Sequence, residues 1–171
     1  GVLAHRTSPT NIGMALLANL AAHDFGYLSA SGLLDRCART LRSMNTLERF
    51  KGHFYNWYDT RSLSPLHPRY VSTVDSGNLA GHLLTLRQGL LALPGQPLIS
   101  KRLWQGCSTT AGIIVDLSKQ RFAEPLNRLQ ALLKNAAQGE DSLTAAKNTL
   151  EELARLTDGL RLPRAENGTQ L

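Results

Sequence analysis

The sequence predicts a mainly α-helical protein, and three observations support this prediction. Apolar residues recur at helical spacing in five stretches of the chain. Capping residues or glycines stand at the ends of several of these stretches. One long polar segment, residues 49–73, has no sustained period and is interrupted by Pro65 and Pro68. We therefore expect a helical array with one long aromatic-rich loop or short β-hairpin.

The first two helices are predicted from their caps and apolar periods. Thr10 or Asn11 can cap the first helix, which should end near Gly26, because glycine readily takes the left-handed conformation at a helix end. Ser29 or Ser31 should start the second helix. Its core-facing stripe is predicted from apolar residues at helical spacing: Leu33, Leu34, Cys37, Ala38, Leu41 and Met44.

Asp75 or Ser76 is predicted to cap the third helix, which should stop near Pro94. Before it, residues 53–58 and 69–74 have the composition of short strands. A loop of this length between helices is uncommon unless it is functional or disordered, and its aromatic content argues against disorder. The loop is therefore the first place to look for a functional site.

The C-terminal half is predicted to be helical after a linker. A long stretch over residues 108–137 should be kinked or broken at Pro125, because proline lacks a backbone donor and clashes with the preceding turn. A further helix follows from Leu143. The expected organisation is residues 1–93 as a first part, a Pro/Gly-containing linker at 94–105, C-terminal helices at 106–158 and a frayed tail at 159–171.

Charge and composition exclude several classes of protein. The net charge is +6, from 19 Lys and Arg against 13 Asp and Glu. The basic residues are scattered and no nucleic-acid motif is present, so no nucleic-acid partner is expected. No apolar run is long enough for a transmembrane helix.

The cysteines and histidines give no sign of a disulfide framework or a metal site. Cys37 and Cys107 are far apart and form no CxxC motif, which favours a reducing compartment. No His or Cys grouping has the spacing of metal ligands. We therefore expect neither a metal nor another cofactor.

The aromatic–polar loop has the composition of a sugar-binding cleft. Of the ten Phe, Trp and Tyr residues in the chain, five lie between Phe54 and Tyr70, interleaved with Asn, Asp, His and Arg. A pyranose has apolar C–H faces and a rim of hydroxyls, which match flat aromatic faces beside hydrogen-bonding groups. Trp57 and Tyr58 are either a stacking platform or core residues. Asp75 is a helix cap, a substrate contact or both.

Catalytic residues are harder to assign than binding residues. Glycoside chemistry normally needs two carboxylates, one on either side of the scissile bond, and the loop offers Asp59 and Asp75. His53 is either a general base or, more commonly for such a residue, a structural group. The other acids stand on helices without aromatic neighbours, where we expect solvated surface: Glu124, Glu140, Glu151 and Glu152. The pattern favours a binding cleft over a catalytic pair.

Three motifs resemble a known family. They are Arg-Thr-Ser-Pro-Thr-Asn-Ile-Gly at 6–13, Gly-His-Phe-Tyr-Asn-Trp-Tyr-Asp-Thr-Arg at 52–61 and Pro-Arg-Tyr-Val-Ser-Thr-Val-Asp-Ser-Gly-Asn-Leu-Ala-Gly-His-Leu at 68–83. In this order they resemble the cyclic β-1,2-glucan synthase family, over about residues 4–93. Proteins of that family are large bacterial inner-membrane enzymes with a glycosyltransferase region, a central glucanase-like cyclisation region and a phosphorylase-like region.

The resemblance implies that this chain is the N-terminal part of the central region, which resembles an (α/α)6 barrel of twelve helices. The chain would then be less than half of such a barrel and inactive alone, because the family's catalytic glutamates are expected downstream. The resemblance places eight residues in or beside the glucan cleft: His53, Asn56, Trp57, Tyr58, Asp59, Arg61, Asp75 and Asn78.

The same resemblance implies the partners and the location. The expected partners are β-1,2-glucan and the remainder of the parent polypeptide, in a soluble region on the cytoplasmic side of a bacterial inner membrane. An incomplete barrel would expose apolar helix faces, so self-association is also expected. Two alternatives remain open: a non-catalytic helical interaction module of a larger membrane enzyme, and a self-contained hydrolase that uses Asp59 and Asp75.

Overall fold

The computed structural model describes residues 3–97, 99–117, 123–139 and 142–158. These residues form six α-helices and four two-residue strands, so the predicted mainly α-helical class is confirmed. The chain divides between Leu98 and Ile99 into two compact units. This boundary lies inside the stretch 94–105 that the sequence suggested as a linker.

Helix α1 spans Pro9–Asp24 and begins earlier than predicted. Its N-cap is Ser8, whose hydroxyl accepts a hydrogen bond from the Asn11 amide at 3.2 Å. A proline takes the first helical position, where the missing N–H costs nothing because that position has no intrahelical acceptor. Thr10 therefore lies inside the helix rather than at its cap. Gly26 has a φ of 78°, as expected for a glycine at a helix end.

Helix α2 spans Ala30–Thr46, and its N-cap is the predicted Ser29, which accepts from the Gly32 amide at 3.1 Å. The predicted stripe is only partly buried. Leu33 is fully buried, whereas its neighbour Leu34 is 49% exposed. Adjacent helical residues point about 100° apart, so one core cannot bury both.

The four strands form two antiparallel pairs. Strands β1 (Arg6–Thr7) and β4 (Tyr58–Asp59) form one pair, and β2 (Arg49–Phe50) and β3 (His53–Phe54) form the other. A two-residue turn with φ values of 48° at Lys51 and 86° at Gly52 joins β2 to β3. Positive φ at both central residues is the hairpin geometry that fits the strand twist. The first pair brings the N-terminal segment to the aromatic loop.

Helix α3 spans Thr73–Ala92 and continues into a short 3₁₀ turn. Its N-cap is Ser72, whose hydroxyl accepts from the Asp75 amide at 3.1 Å. The predicted caps, Asp75 or Ser76, are therefore too late in the sequence, and both residues lie in the first turn of the helix. The predicted strand at 69–74 is wrong, because the serine hydroxyl satisfies the first helical donors and the helix forms from Thr73 onward.

Helices α1 and α3 run parallel and pack closely, and α1 also contacts α2. Glycines on both helices allow the close approach of α1 to α3. A Cβ placed on Gly13 would lie 2.4 Å from His82 Nδ1, and one on Gly89 would lie 2.5 Å from Leu20. The contacts advance in the same direction along both helices: Thr10 with Asn78, Gly13 with His82, and Leu20 with Gly89.

The core of the first unit lies among these three helices. Its buried members are Leu16, Leu33, Cys37, Met44, Leu79 and Leu86. The predicted Leu83 and Leu90 are partly buried and pack against this cluster. The aromatic loop contributes only Phe54 to its margin. The loop must therefore be held largely by other interactions.

The described residues of the second unit form three helices: α4 (Lys101–Leu117), α5 (Ala123–Gln138) and α6 (Leu143–Asp158). Its core consists of Trp104, Ala111, Leu133 and Ala146. The helical stretch predicted at 108–137 is described as helix α4 up to Leu117 and helix α5 from Ala123, and α4 begins earlier than predicted. Pro125 lies in the first turn of α5, where proline is tolerated. The predicted tail at 159–171 lies outside the described residues.

None of the helices among the described residues combines the length and the apolar character needed to cross a membrane. The acids on the helices of the second unit behave as expected of solvated groups. Glu124, Glu151 and Glu152 are exposed, and Glu140 lies outside the described residues. Glu151 lies 3.8 Å from Lys147 and 4.0 Å from Arg155 in exposed ion pairs.

Replacement of Gly13 by alanine tests the close packing of α1 on α3. Gly13→Ala should lower the free energy of unfolding by about 1–3 kcal/mol, because the new methyl group would overlap the base of the His82 side chain. The matched control is Gly81→Ala on α3, where a Cβ would meet nothing within 4 Å. That change should stabilise the helix by up to about 1 kcal/mol. Urea denaturation measures both, and equal effects of the two variants would contradict the packing.

Candidate functional site

The candidate site lies where the N-terminal ends of α1 and α3 meet the aromatic loop. Its centre is the Asp75 side chain, in the first turn of α3. Asp75 receives hydrogen bonds from the Thr10 hydroxyl and backbone amide, and from the hydroxyls of Ser72 and Ser8. One carboxylate therefore accepts hydrogen bonds from residues at the starts of two helices. Asp75 is both a residue of the cap region and a member of the candidate site.

The environment of Asp75 keeps its side chain ionised. Partial burial alone would raise the pKa of this carboxyl, but the hydrogen bonds from Thr10, Ser72 and Ser8 outweigh burial and hold the pKa below its usual value. The partial positive charge at both helix N-termini acts in the same direction. At neutral pH the group is an anion that accepts hydrogen bonds.

Asn56 connects Asp75 to the aromatic residues of the loop. Asn56 is 6% exposed. Its partners fix the orientation of the amide: Nδ2 donates to Asp75 Oδ2 at 2.7 Å, and Oδ1 accepts from Trp57 Nε1 at 2.6 Å and from the Tyr70 hydroxyl. The Asn56 backbone amide also donates to the Tyr70 carbonyl at 2.9 Å. We call Asn56, Trp57, Tyr70 and Asp75 the polar network.

Trp57 is held on its edge and on one face. Its indole N–H donates to Asn56, and the Arg6 guanidinium lies 4.9 Å from the ring centroid. Arg6 is in turn placed by the pairing of β1 with β4, in which it lies opposite Asp59. A cation over one ring face is a favourable contact, and it leaves that face unavailable to a sugar.

Tyr58 is a core residue rather than a stacking platform. Its side chain is fully buried. The hydroxyl donates to the Glu48 carbonyl at 2.7 Å and accepts from the Tyr55 amide at 2.8 Å. Burial raises the pKa of this hydroxyl. A ring in this position has no face to offer a sugar, so of the two sequence-based alternatives for Tyr58 the structure selects the core.

Asp59 stabilises a turn after β4. Its Oδ1 accepts from the Arg61 amide at 2.8 Å and from the Ser62 amide at 2.9 Å. The exposed Arg61 guanidinium lies 3.8 Å from Oδ2. These groups, first the Ser62 amide and then the Arg61 amide, lower the pKa of Asp59. The arrangement is an Asx turn, in which aspartate replaces a backbone acceptor.

Of the remaining predicted residues, Asn78 lies near the polar network and His53 does not. Asn78 is exposed one turn along α3, where its Nδ2 donates to Thr10 Oγ1 at 3.2 Å. His53 is exposed in the separate β2–β3 hairpin, paired with Phe50. The structure thus brings Asn56, Trp57, Asp75 and Asn78 together, while His53 lies outside this group on the β2–β3 hairpin.

This arrangement is suited to binding rather than to proton transfer. A glycosidase acid needs a carboxyl whose pKa is raised, so that it carries a proton at neutral pH. The pKa values of Asp59 and Asp75 are both lowered, and both side chains are engaged by local donors. Among the described residues, no group of three or more His, Cys, Asp and Glu is placed to hold a metal.

Sequence reasoning missed the residues that hold the network in place. Ser8 is 4% exposed and Thr10 lies inside α1, yet both donate to Asp75. The aromatic composition of the loop does not distinguish Tyr70 from its neighbours. Ser8, Thr10, Ser72 and Tyr70 all lie in the first and third motifs, and Ser8 and Ser72 each stand three residues before a first-turn amide. That spacing is the local signal of a cap.

The fold and the network define a mainly helical chain in which an aromatic–polar loop is anchored on helix N-termini. No protein-family model matches the chain. Over 85 residues it is 49% identical to the cyclic beta-(1,2)-glucan synthase NdvB of Rhizobium meliloti strain 1021. The predicted resemblance to this family is therefore confirmed. The match covers 50% of this chain and only 3% of that enzyme.

The pH dependence of stability tests the role of Asp75 as an anion. The first unit should lose stability as the pH falls below about 4. Folding lowers the pKa of these carboxyls, so their contribution to stability is fully present above the unfolded pKa. That contribution is lost as the pH falls through the folded pKa. Asp75→Asn should make this loss smaller. The measurement is the midpoint of urea unfolding at a series of pH values. The NMR resonance of the Trp57 indole serves as the probe of unfolding.

The control is Asp35→Asn, which changes an exposed aspartate on α2. This variant should keep the pH profile of the unmodified chain. If Asp75→Asn also kept that profile, the hydrogen bonds to Asp75 would not be the source of the acid sensitivity.

Proposed function

We propose that the first unit forms part of the glucan-binding cleft in the transglycosylation and cyclisation region of a cyclic β-1,2-glucan synthase. The observation that carries the proposal is the 49% identity over 85 residues to an enzyme of that name. The proposed ligand is β-1,2-glucan. The proposed intramolecular partner is the rest of a longer polypeptide, on the cytoplasmic side of a bacterial inner membrane.

The helix arrangement supports a partial (α/α)-barrel. In such a barrel the chain alternates between an inner and an outer layer, so every second helix runs in the same direction. Helices α1 and α3 are parallel and in close contact, and α2 lies between them in sequence. These helices would be consecutive members of the barrel wall, with the glucan at the end where Asp75 lies.

The chemistry of the network supports a binding role without catalysis. A neutral polysaccharide is recognised through aromatic faces and hydrogen-bonding groups. The loop has aromatic rings at its surface and the exposed Asn78 lies beside the same helix end, while Asn56 holds the loop in place. Asp75 would shape the cleft as a fixed anion. The reacting acids would come from another part of the parent chain, so the chain alone is expected to be inactive.

Titration of the chain with linear and cyclic β-1,2-glucan tests this function. We expect saturable heat release by calorimetry, weakened at least tenfold in Trp57→Ala, because the indole anchors the loop and borders the proposed cleft. Asp59→Ala should also weaken binding by loosening the turn after β4. Absence of binding by the unmodified chain would contradict the proposal.

Tyr27→Ala is the matched control for these variants. Tyr27 is 53% exposed and follows the C-terminal end of α1. Helix α1 has 16 residues, so its two ends are about 24 Å apart. The loss of this aromatic residue should leave glucan binding unchanged.

An apolar groove supports the second candidate function, a helical interaction module that associates with itself or with the parent chain. The groove lies on α3 beside Leu41 of α2. Leu91 is 60% exposed and Leu84, on the same helix, is 66% exposed. The residues that line the groove are Leu41, Leu83, Leu86, Arg87, Leu90 and Leu91. Apolar surface of this kind commonly marks an interface.

Light scattering on the isolated chain tests the interaction module. We expect dimers or larger species, and Leu91→Glu should shift them to monomers by placing a charge in the groove. Leu34→Glu changes an exposed leucine on α2 that does not line the groove, and it should leave association unchanged. A strictly monomeric unmodified chain would contradict self-association.

A further inference from the structure

The loop contains several aromatic rings, and they differ in the surface that they offer. A stacking platform needs an exposed ring face and a fixed orientation, since a ring that must be ordered on binding loses part of the binding free energy. Tyr58 is fully buried. Arginines lie over Phe54 and Trp57, with the guanidinium carbon 4.3 Å and 4.9 Å from the ring centroids. Phe50 is 51% exposed, but the Lys51 ammonium lies 5.6 Å from its ring centroid, and the Arg69 guanidinium carbon lies 5.9 Å from that of Tyr55. Tyr70, in contrast, is 49% exposed and its hydroxyl is fixed by Asn56.

Tyr70 is also fixed at two points. Its backbone carbonyl accepts from the Asn56 amide at 2.9 Å, and its hydroxyl donates to the Asn56 side chain. Both ends of the residue are thus attached to the same partner. Because the residue is 49% exposed, the ring between these two attachments is held at the surface of the loop, as a preorganised aromatic contact requires.

The partner of Tyr70 is itself firmly placed. Asn56 is 6% exposed and its Nδ2 donates to Asp75 at 2.7 Å. Asp75 is held by donors from the first turns of α1 and α3. A continuous series of hydrogen bonds therefore connects two helix N-termini to the Tyr70 ring through Asp75 and Asn56.

We propose that Tyr70 is the aromatic platform on which a pyranose ring stacks, and that Asn56 and Asp75 are positioning residues that hold it. The inference rests on the proposed function for its ligand, β-1,2-glucan. It assigns the stacking role to a residue that the composition of the loop alone did not single out. Tyr58 and Trp57 then have structural roles, in the core and in the attachment of the loop.

The experiment titrates the full chain with β-1,2-glucan oligosaccharides, cellodextrins and laminarin oligosaccharides. Tyr70→Ala should weaken binding by roughly tenfold or more, since the ring contact is lost. Tyr70→Phe keeps the ring but removes its hydroxyl tether and should weaken binding less. Tyr27→Ala, an exposed tyrosine near the other end of α1, should have no effect.

A direct contact measurement keeps the test decisive if Tyr70→Ala does not fold. In the unmodified chain with bound glucan, NMR should detect an intermolecular nuclear Overhauser effect between the Tyr70 ring protons and the sugar C–H protons. A merely structural tyrosine would give no such signal. A different result would overturn the platform: glucan binds, the NMR signal between Tyr70 and the sugar is absent, and the folded Tyr70 variants keep their glucan affinity. That result would leave the proposed function standing.

The saccharide panel separates the two proposals. Binding of cellodextrin or laminarin oligosaccharides through Tyr70, without binding of β-1,2-glucan, would support the platform and overturn the proposed ligand. Binding of β-1,2-glucan that depends on Tyr70 would support both. Binding of no saccharide would overturn both.

Discussion

The rest of the first unit depends on the shared use of one carboxylate, Asp75, by two helix N-termini. The first turn of a helix has backbone donors without intrahelical acceptors, and a buried end must find acceptors elsewhere. Asp75 accepts from Thr10 and Ser8 at the start of α1 and from Ser72 at the start of α3. This interaction requires the two N-termini to lie side by side. It agrees with the parallel packing that the glycines on α1 and α3 permit.

The aromatic loop is ordered by hydrogen bonds more than by a core of its own. Only Tyr58 among its aromatic side chains is fully buried, and even this side chain is fixed by the Glu48 carbonyl. Asn56 joins the loop to Asp75 and at the same time fixes Trp57 and Tyr70. Since hydrogen bonds that converge on a buried group such as Asn56 specify one arrangement, the loop can present an aromatic ring and several polar groups in defined positions. That property is what a saccharide-binding surface requires.

The sequence predicted the helices well and the site only in part, and the reasons are physical. Helical periods are local, so the core positions Leu33, Cys37 and Leu79 could be read directly. The starts of α1 and α3 were misplaced because Ser8 and Ser72 precede residues that also look like caps. No local pattern states that Thr10 meets Asp75. The burial of Tyr58 and the exposure of Tyr70 result from tertiary contacts of the folded loop, such as that of Tyr58 with the Glu48 carbonyl, so aromatic composition alone could not separate them.

Hydrogen exchange at the Trp57 indole N–H tests the central claim most directly, since this proton donates to Asn56 and reports on the loop's attachment to Asp75. Exchange should be slow in the unmodified chain and much faster in Asp75→Asn, while the Leu86 amide in the core of α3 keeps its protection. The Trp104 indole, from the buried tryptophan of the second unit, should not change. Equal protection of the Trp57 indole in both proteins would contradict the claim that Asp75 holds the loop in place.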